Sequence, residues 1–212
     1  MSCTADDVVA ALRAGADVVA AHRGELVEMD REIGDADHGE NMDRGFRAVM
    51  AKLDTSSPDT PAAALKLAAT VLISSVGGAS GPLYGTALLR AASAAGDAAE
   101  LDGPAVAALL QSGLDGVVAR GHAELGDKTM VDVLVPAAEA AGNAAEGGQD
   151  SAGVLRSAAQ AAQEAAENTR PLVARKGRAS YLGERSAGHV DPGARSTALL
   201  LGAFAESAGV RS

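Results

Sequence analysis

Three carboxylates, Asp30, Asp35 and Asp37, fall within eight positions of a segment that also carries Gly34 and Gly39. In an extended stretch, side chains at i and i+2 share a face, so Asp35 and Asp37 point the same way. Glycine on either side lets the chain bend, and Asp30 can fold back toward the same point. Three converging anions repel unless a cation lies between them. An all-oxygen donor set on a short loop suits a hard divalent ion, Mg²⁺ ahead of Ca²⁺. An EF-hand does not fit. Counting from Asp35, the fifth and sixth positions are Gly39 and Glu40, where that loop needs an oxygen ligand and then glycine. A solvated acidic turn capping the next helix would use the same residue types, and the motif alone does not separate the two.

Three further stretches carry chemistry of the same kind. Residues 77–81 are glycine-rich and precede a helix, where bare backbone N–H groups bind phosphate; a tight turn between packed helices needs the same glycines. They are not a P-loop, because no Gly-Lys-Ser/Thr closes them. Gly126-Asp127-Lys128-Thr129-Met130 opens another helix. There Thr129 could donate to a phosphate and Met130 could pack on a flat ring, while Asp127 reads equally as an N-cap. Gly121 is either a close-approach glycine or a C-cap. Arg175-Lys176-Gly177-Arg178 is a local cationic cluster that could close over an anion, or be a solvated loop. His38 and His189 lie in loops, His22 and His122 on or at the ends of helices. None of the four forms a Ser-His-Asp order.

The elements that must position these groups read as helices. Thr4 and Asp7 resemble a capping box, followed by Val8, Leu12, Ala16, Val19 and Leu26 at helical spacing. A second helix follows Gly39, with Met42, Phe46, Val49 and Leu53 on one face. Helices are expected over 62–74, from Pro82 to about 96, over 104–120, from 126 to about 147, and over 151–169, with a last one opening at Pro192-Gly193. Pro136 either kinks the sixth or is accommodated in it. The irregular stretch 174–191 is longer than packing requires. Eight amphipathic helices on short connectors predict an all-α fold, one antiparallel eight-helix barrel or bundle forming a single domain over residues 1–212.

Composition agrees. Hydrophobic content is 47% but aromatics are 2%, with alanine supplying much of the apolar count. Small residues favour closely packed helices. A formal charge of −10, with no basic cluster larger than the local one at 175–178, disfavours nucleic acid and anionic membranes. Cys3 is the only cysteine, so no internal disulfide forms. The acidic N-terminus does not read as a secretory signal, and the longest apolar run is too short for a bilayer. A cytoplasmic protein is expected.

Taken together, 29–42, 74–85, 120–130 and 174–194 resemble, in order, the ADP-binding L subunit of bacterial dihydroxyacetone kinase, and the length of 212 residues fits a free-standing subunit. The resemblance implies an eight-helix barrel with the nucleotide site at one end. It implies two Mg²⁺ ions held by Asp30, Asp35 and Asp37 and bridging to a diphosphate. It implies that His38, Gly39, Glu40, Asn41, Ala79, Ser80, Gly121, Met130, Arg178, Asp191, Pro192 and Gly193 line the ADP or ATP. It implies no catalytic residue on this chain beyond the metal site. A phosphocarrier M-type subunit, charged from phosphoenolpyruvate, would rephosphorylate ADP in place, and the γ-phosphoryl would pass to dihydroxyacetone on a separate K subunit. A homodimer is also expected. Rival readings are an ATP-using subunit of a related ketose kinase, such as an erythrulose kinase, and a nucleotide-binding regulator docked on a transcription factor. A fatty-acid kinase nucleotide domain ranks last, because that protein carries further domains.

Overall fold

The structure is a computed structural model that describes residues 2–209. Eight α-helices occupy the described residues: α1 Ala5–Ile33, α2 His38–Leu53, α3 Pro61–Ser75, α4 Ser80–Ala95, α5 Gly103–Gly121, α6 Val131–Glu146, α7 Ser151–Asn168 and α8 Pro192–Gly209. Each helix packs on the next in sequence, and α8 returns to α1, so the ring closes. Connectors that are short everywhere but the 169–191 stretch between α7 and α8 leave this up-and-down closure as the simplest way to bury every apolar face.

Local chemistry starts several helices where the sequence predicts. Thr4 and Asp7 form the capping box of α1, with the Thr4 N–H donating to Asp7 Oδ2 at 2.9 Å. Thr60, Asp102 and Asp150 cap α3, α5 and α7 with their side-chain oxygens. The α2 face holds as read: Met42, Phe46, Val49 and Leu53 are all buried. Among the described residues the ring has a small cluster of Ile33, Ala174 and Ala179 and two large cores. One contains Leu12, Phe46, Leu72, Leu114 and Leu200; the other is dominated by alanines of α6, α7 and α8. Small side chains there let the helices approach closely, which replaces the missing aromatics.

Three helix boundaries differ from expectation. Helix α1 continues through Asp30 to Ile33, which places Asp30 in its last turn rather than in a loop. Helix α4 begins at Ser80, two residues before Pro82. Helix α6 begins at Val131, because Gly126 (φ +92°) and Lys128 (φ +62°) are left-handed and break any earlier helical turn. Pro136 lies within α6 without ending it. The stretch expected to be irregular contains a 3-10 segment, Arg178–Ser186, bent at Gly183. A two-residue ribbon pairing Cys3–Thr4 with Glu100–Leu101 ties the N-terminus to the segment before α5. No helix among the described residues is long and apolar enough to cross a membrane.

Candidate functional site

One cavity of about 710 Å³ opens at an end of the ring, within the roughly 300–1,000 Å³ typical of small-molecule sites. Its wall joins the end of α1, the start of α2, the 78–84 stretch, residues 128–130, 175–181 and 191–193. Stretches distant in sequence and separately suspected of anion or metal chemistry therefore share one wall.

The acidic side is built from α1 outward. Asp30 Oδ2 accepts the backbone N–H of Asp37 at 2.8 Å and of His38 at 3.1 Å. The carboxylate thus caps the start of α2 from the last turn of α1. Ala36 takes a left-handed backbone (φ +61°), which turns the intervening loop. Of the two glycines expected to bend the chain, Gly34 ends α1 as its C-cap, while Gly39 lies within the first turn of α2. Asp37 precedes α2 but its side chain caps nothing. One oxygen from each of Asp30, Asp35 and Asp37 lies within 4.8 Å of the others. Asp30 is buried and the other two are exposed. This donor set, all carboxylate oxygen and open toward the cavity, fits a hard divalent cation.

A cationic arm faces it. Arg178 Nε lies 2.8 Å from Asp35 Oδ2, and Arg175 and Lys176 line the same wall. A polyanion between these two sides would meet a carboxylate-bound cation on one flank and a guanidinium on the other.

From His38, next to the acidic loop, runs a buried polar chain that the sequence reading did not find. His38 Nδ1 is 3.0 Å from Ser80 Oγ, and its Nε2 is 2.8 Å from Ser196 Oγ. Tyr84 Oη is 2.7 Å from Ser196 Oγ and 2.8 Å from Thr197 Oγ1. Burial lowers the His38 pKa against the pull of Asp30 and Asp37, and burial raises Tyr84 to about 12. Both side chains therefore work as neutral hydrogen-bonding groups. The Ser196-Thr197 pair, separated from Pro192-Gly193 by Ala194 and Arg195, was the available signal, but helix periodicity reads it as an ordinary turn of α8.

Of the residues singled out from sequence, Asp30, Asp35, Asp37, His38, Ala79, Ser80, Met130, Arg178, Asp191, Pro192 and Gly193 line the cavity. Gly39, Glu40, Asn41 and Gly121 do not. Gly39 lies under α2 against the α1 backbone, and Glu40 is exposed and paired with Arg23 at 3.1 Å. Asn41 Oδ1 accepts from Arg44 at 2.5 Å. Gly121 ends α5 beside Leu83, a lining residue. Thr129 also lines the cavity; its N–H donates to Asp132 Oδ2 at 2.7 Å.

Asp191 gives the site a measurable pH signature. Its Oδ2 accepts the Ala194 N–H at 2.7 Å, so it caps α8. Burial raises its pKa to about 7, opposed by that hydrogen bond and by Lys128, with Asp132 adding to the rise. The folded pKa is raised above the unfolded value of about 3.9. Between these values the folded chain keeps a proton that the unfolded chain has lost. Stability of the ligand-free protein should therefore fall as pH rises from about 4 to 7, by an amount on the order of 4 kcal/mol. Asp191→Asn keeps a capping oxygen and should flatten that slope in urea melts across this range. An unchanged slope would contradict the assignment.

A closed ring of eight helices with an acidic and a cationic wall at one end defines a class, and the chain belongs to the DAK2 domain family, whose match covers residues 32–206. It is 44% identical over 201 residues to the PEP-dependent dihydroxyacetone kinase ADP-binding subunit DhaL of Escherichia coli, covering 95% of this chain and 96% of that one. It is 41% identical over 182 residues to the corresponding subunit of kinase 1 of Listeria innocua, covering 86% of each. Among solved structures, it resembles the dihydroxyacetone kinase from C. freundii in complex with AMP-PNP and Mg²⁺. The TM-score is 0.68 at 28% identity, over 96% of this chain and 33% of that longer one.

Proposed function

We propose that the chain is the nucleotide-binding subunit of a phosphoenolpyruvate-dependent dihydroxyacetone kinase. In this reading ADP stays bound, a phosphocarrier subunit transfers a phosphoryl group to its β-phosphate oxygen, and the same group then passes to a hydroxyl of dihydroxyacetone on a separate K subunit. The observation that carries it is the convergence of three carboxylates with the Arg178 arm, paired to Asp35 at 2.8 Å, in the wall of one cavity. Near full-length similarity to DhaL subunits supports the substrate class.

The residues divide the work. Asp30, Asp35 and Asp37 would hold Mg²⁺, two ions in our reading, which when bound supplies charge neutralisation to the phosphates. Asp30, pinned by two backbone N–H groups, fixes the cage to both α1 and α2. Arg178 can leave Asp35 for a phosphate oxygen once a cation replaces it there. Met130 offers an apolar surface to a base. His38, neutral and held at both ring nitrogens, orients the start of α2 rather than moving a proton. The nucleophile and the acceptor pocket would both come from partners. The task of this chain is then positioning and electrostatics.

The test combines the purified chain with K and phosphocarrier subunits, phosphoenolpyruvate, Mg²⁺ and dihydroxyacetone. ADP should co-purify with the chain and survive desalting in Mg²⁺, and phosphorylated triose should form from a stoichiometric amount of nucleotide. Formation only with excess free ATP would replace the relay with direct ATP use. No phosphorylated triose under either condition, with partners that work on another L subunit, would overturn the reading. The same assay with erythrulose reads acceptor choice on the K subunit.

A further inference from the structure

Lys128 is 1% exposed, an uncommon place for an ammonium group. Its left-handed backbone (φ +62°) is set in the stretch between α5 and α6. Nζ donates to the carbonyls of Thr169 at 2.7 Å and Arg170 at 3.4 Å, at the end of α7, and to that of His189 in the loop before α8. An ammonium has three protons and no acceptor capacity, so these three carbonyls use it fully. This lysine therefore does not grip a phosphate, although it sits in the wall of the cavity.

The partners lie in two segments, and Lys128 joins them. The same loop is tied to the same helix end three times more, once by the Arg170 side chain donating to Gly188 O at 3.4 Å. Gly188 N–H donates to Arg170 O at 2.8 Å, and Asp191 N–H donates to Thr169 Oγ1 at 3.0 Å. Thr169 is fully buried. Immediately after this seam the chain presents Asp191, Pro192 and Gly193 to the cavity. Gly193 packs beside Met130, where a Cβ added at Gly193 would lie 3.7 Å from the Met130 nitrogen. A carboxyl-bearing edge backed by Met130 does not suit a polyphosphate; it suits the hydroxyls and ring of a nucleoside. The phosphates belong at the opposite edge, between the three aspartates and Arg178.

We propose that Lys128 is a positioning residue that clamps the 188–191 loop onto the end of α7 and so sets the nucleoside edge of the cavity. The clamp makes the site discriminate ADP from bare pyrophosphate. This rests on the nucleotide-binding reading above. Lys128→Met keeps the length of the side chain and removes the three donors. Thr169→Val keeps the shape and removes the acceptor for Asp191 N–H.

The test titrates the full chain in Mg²⁺ with ADP and, separately, with inorganic pyrophosphate, by calorimetry, with circular dichroism confirming the fold. Lys128→Met should lose about tenfold or more in ADP affinity while pyrophosphate affinity stays within about twofold. Thr169→Val should move in the same direction by about threefold or more. The double variant should lose less than the product of the two, because both act on one loop. A general loss of structure would lower both affinities together. Parallel losses, or no loss of ADP affinity, would overturn the clamp. If Lys128→Met does not fold, Thr169→Val decides by the same ratio. Wild-type chain that binds no ADP would instead overturn the nucleotide reading itself, so the two failures are distinct.

Discussion

Asp37→Ala is expected to abolish Mg²⁺-dependent retention of ADP while leaving the helical fold at close to its original stability. The carboxylate of Asp37 converges on those of Asp30 and Asp35, yet it caps no helix end, so its loss empties no core and orphans no backbone donor. Affinity for Mg²⁺·ADP should fall by at least about a hundredfold, the upper part of what even outer-shell changes at metal sites produce. The three aspartates should not behave alike. Asp35→Ala also frees Arg178 from its 2.8 Å ion pair, so that the arm loses its resting partner. Asp30→Ala removes the acceptor for the N–H groups of Asp37 and His38, and should cost about 1–3 kcal/mol of folding stability as well as the metal. Mn²⁺ binding followed by spin resonance, beside urea melts of each variant, would separate the two effects. Full ADP retention by a chain lacking both Asp35 and Asp37 would remove the metal assignment.

The contrast among the three aspartates follows from backbone bonds that residue types alone do not show. Periodicity was enough for the ring: Val8, Leu12, Val19 and Leu26 on α1, and Met42, Phe46, Val49 and Leu53 on α2, are all buried. Spacing was enough to suspect Asp35 and Asp37. It could not place Asp30 on a helix, because the last turn of α1 carries polar residues that periodicity cannot distinguish from a loop. It also misread 126–130 as helical. Asp127 and Thr129 are good starters, and only the left-handed backbone at Gly126 and Lys128 defers the helix to Val131. Lys128 itself was invisible as a structural residue, since a lysine in a loop is ordinarily exposed and its three carbonyl partners lie 41 to 61 positions away. The His38–Ser196–Tyr84 chain was hidden for the same reason: hydrogen bonds spanning 158 and 112 positions leave no local pattern.

Gly39 is expected from sequence to let the chain bend, and its place in the structure gives a sharper expectation. It lies inside the first turn of α2, pressed against α1. A Cβ there would fall 2.3 Å from the Arg23 carbonyl oxygen, 2.8 Å from Val27 Cγ2 and 3.0 Å from the Val27 nitrogen. Two of these obstacles are helix backbone and cannot rotate away. Gly39→Ala must therefore push the start of α2 off α1. The same displacement strains the bonds from Asp37 and His38 to Asp30, which hold the acidic cage together. We expect a loss of roughly 2–3 kcal/mol in urea unfolding, the usual scale for overpacking, and a drop in Mg²⁺·ADP affinity measured on fully folded protein. Gly24 supplies the control. It sits in the middle of α1, and a Cβ there would meet nothing within 4 Å. Gly24→Ala should raise stability by about 0.5–1 kcal/mol through helix propensity, with ADP affinity unchanged. Equal stability and affinity in the two alanine variants would mean that α1 and α2 do not meet backbone to backbone at Gly39, and that the cage does not depend on their approach.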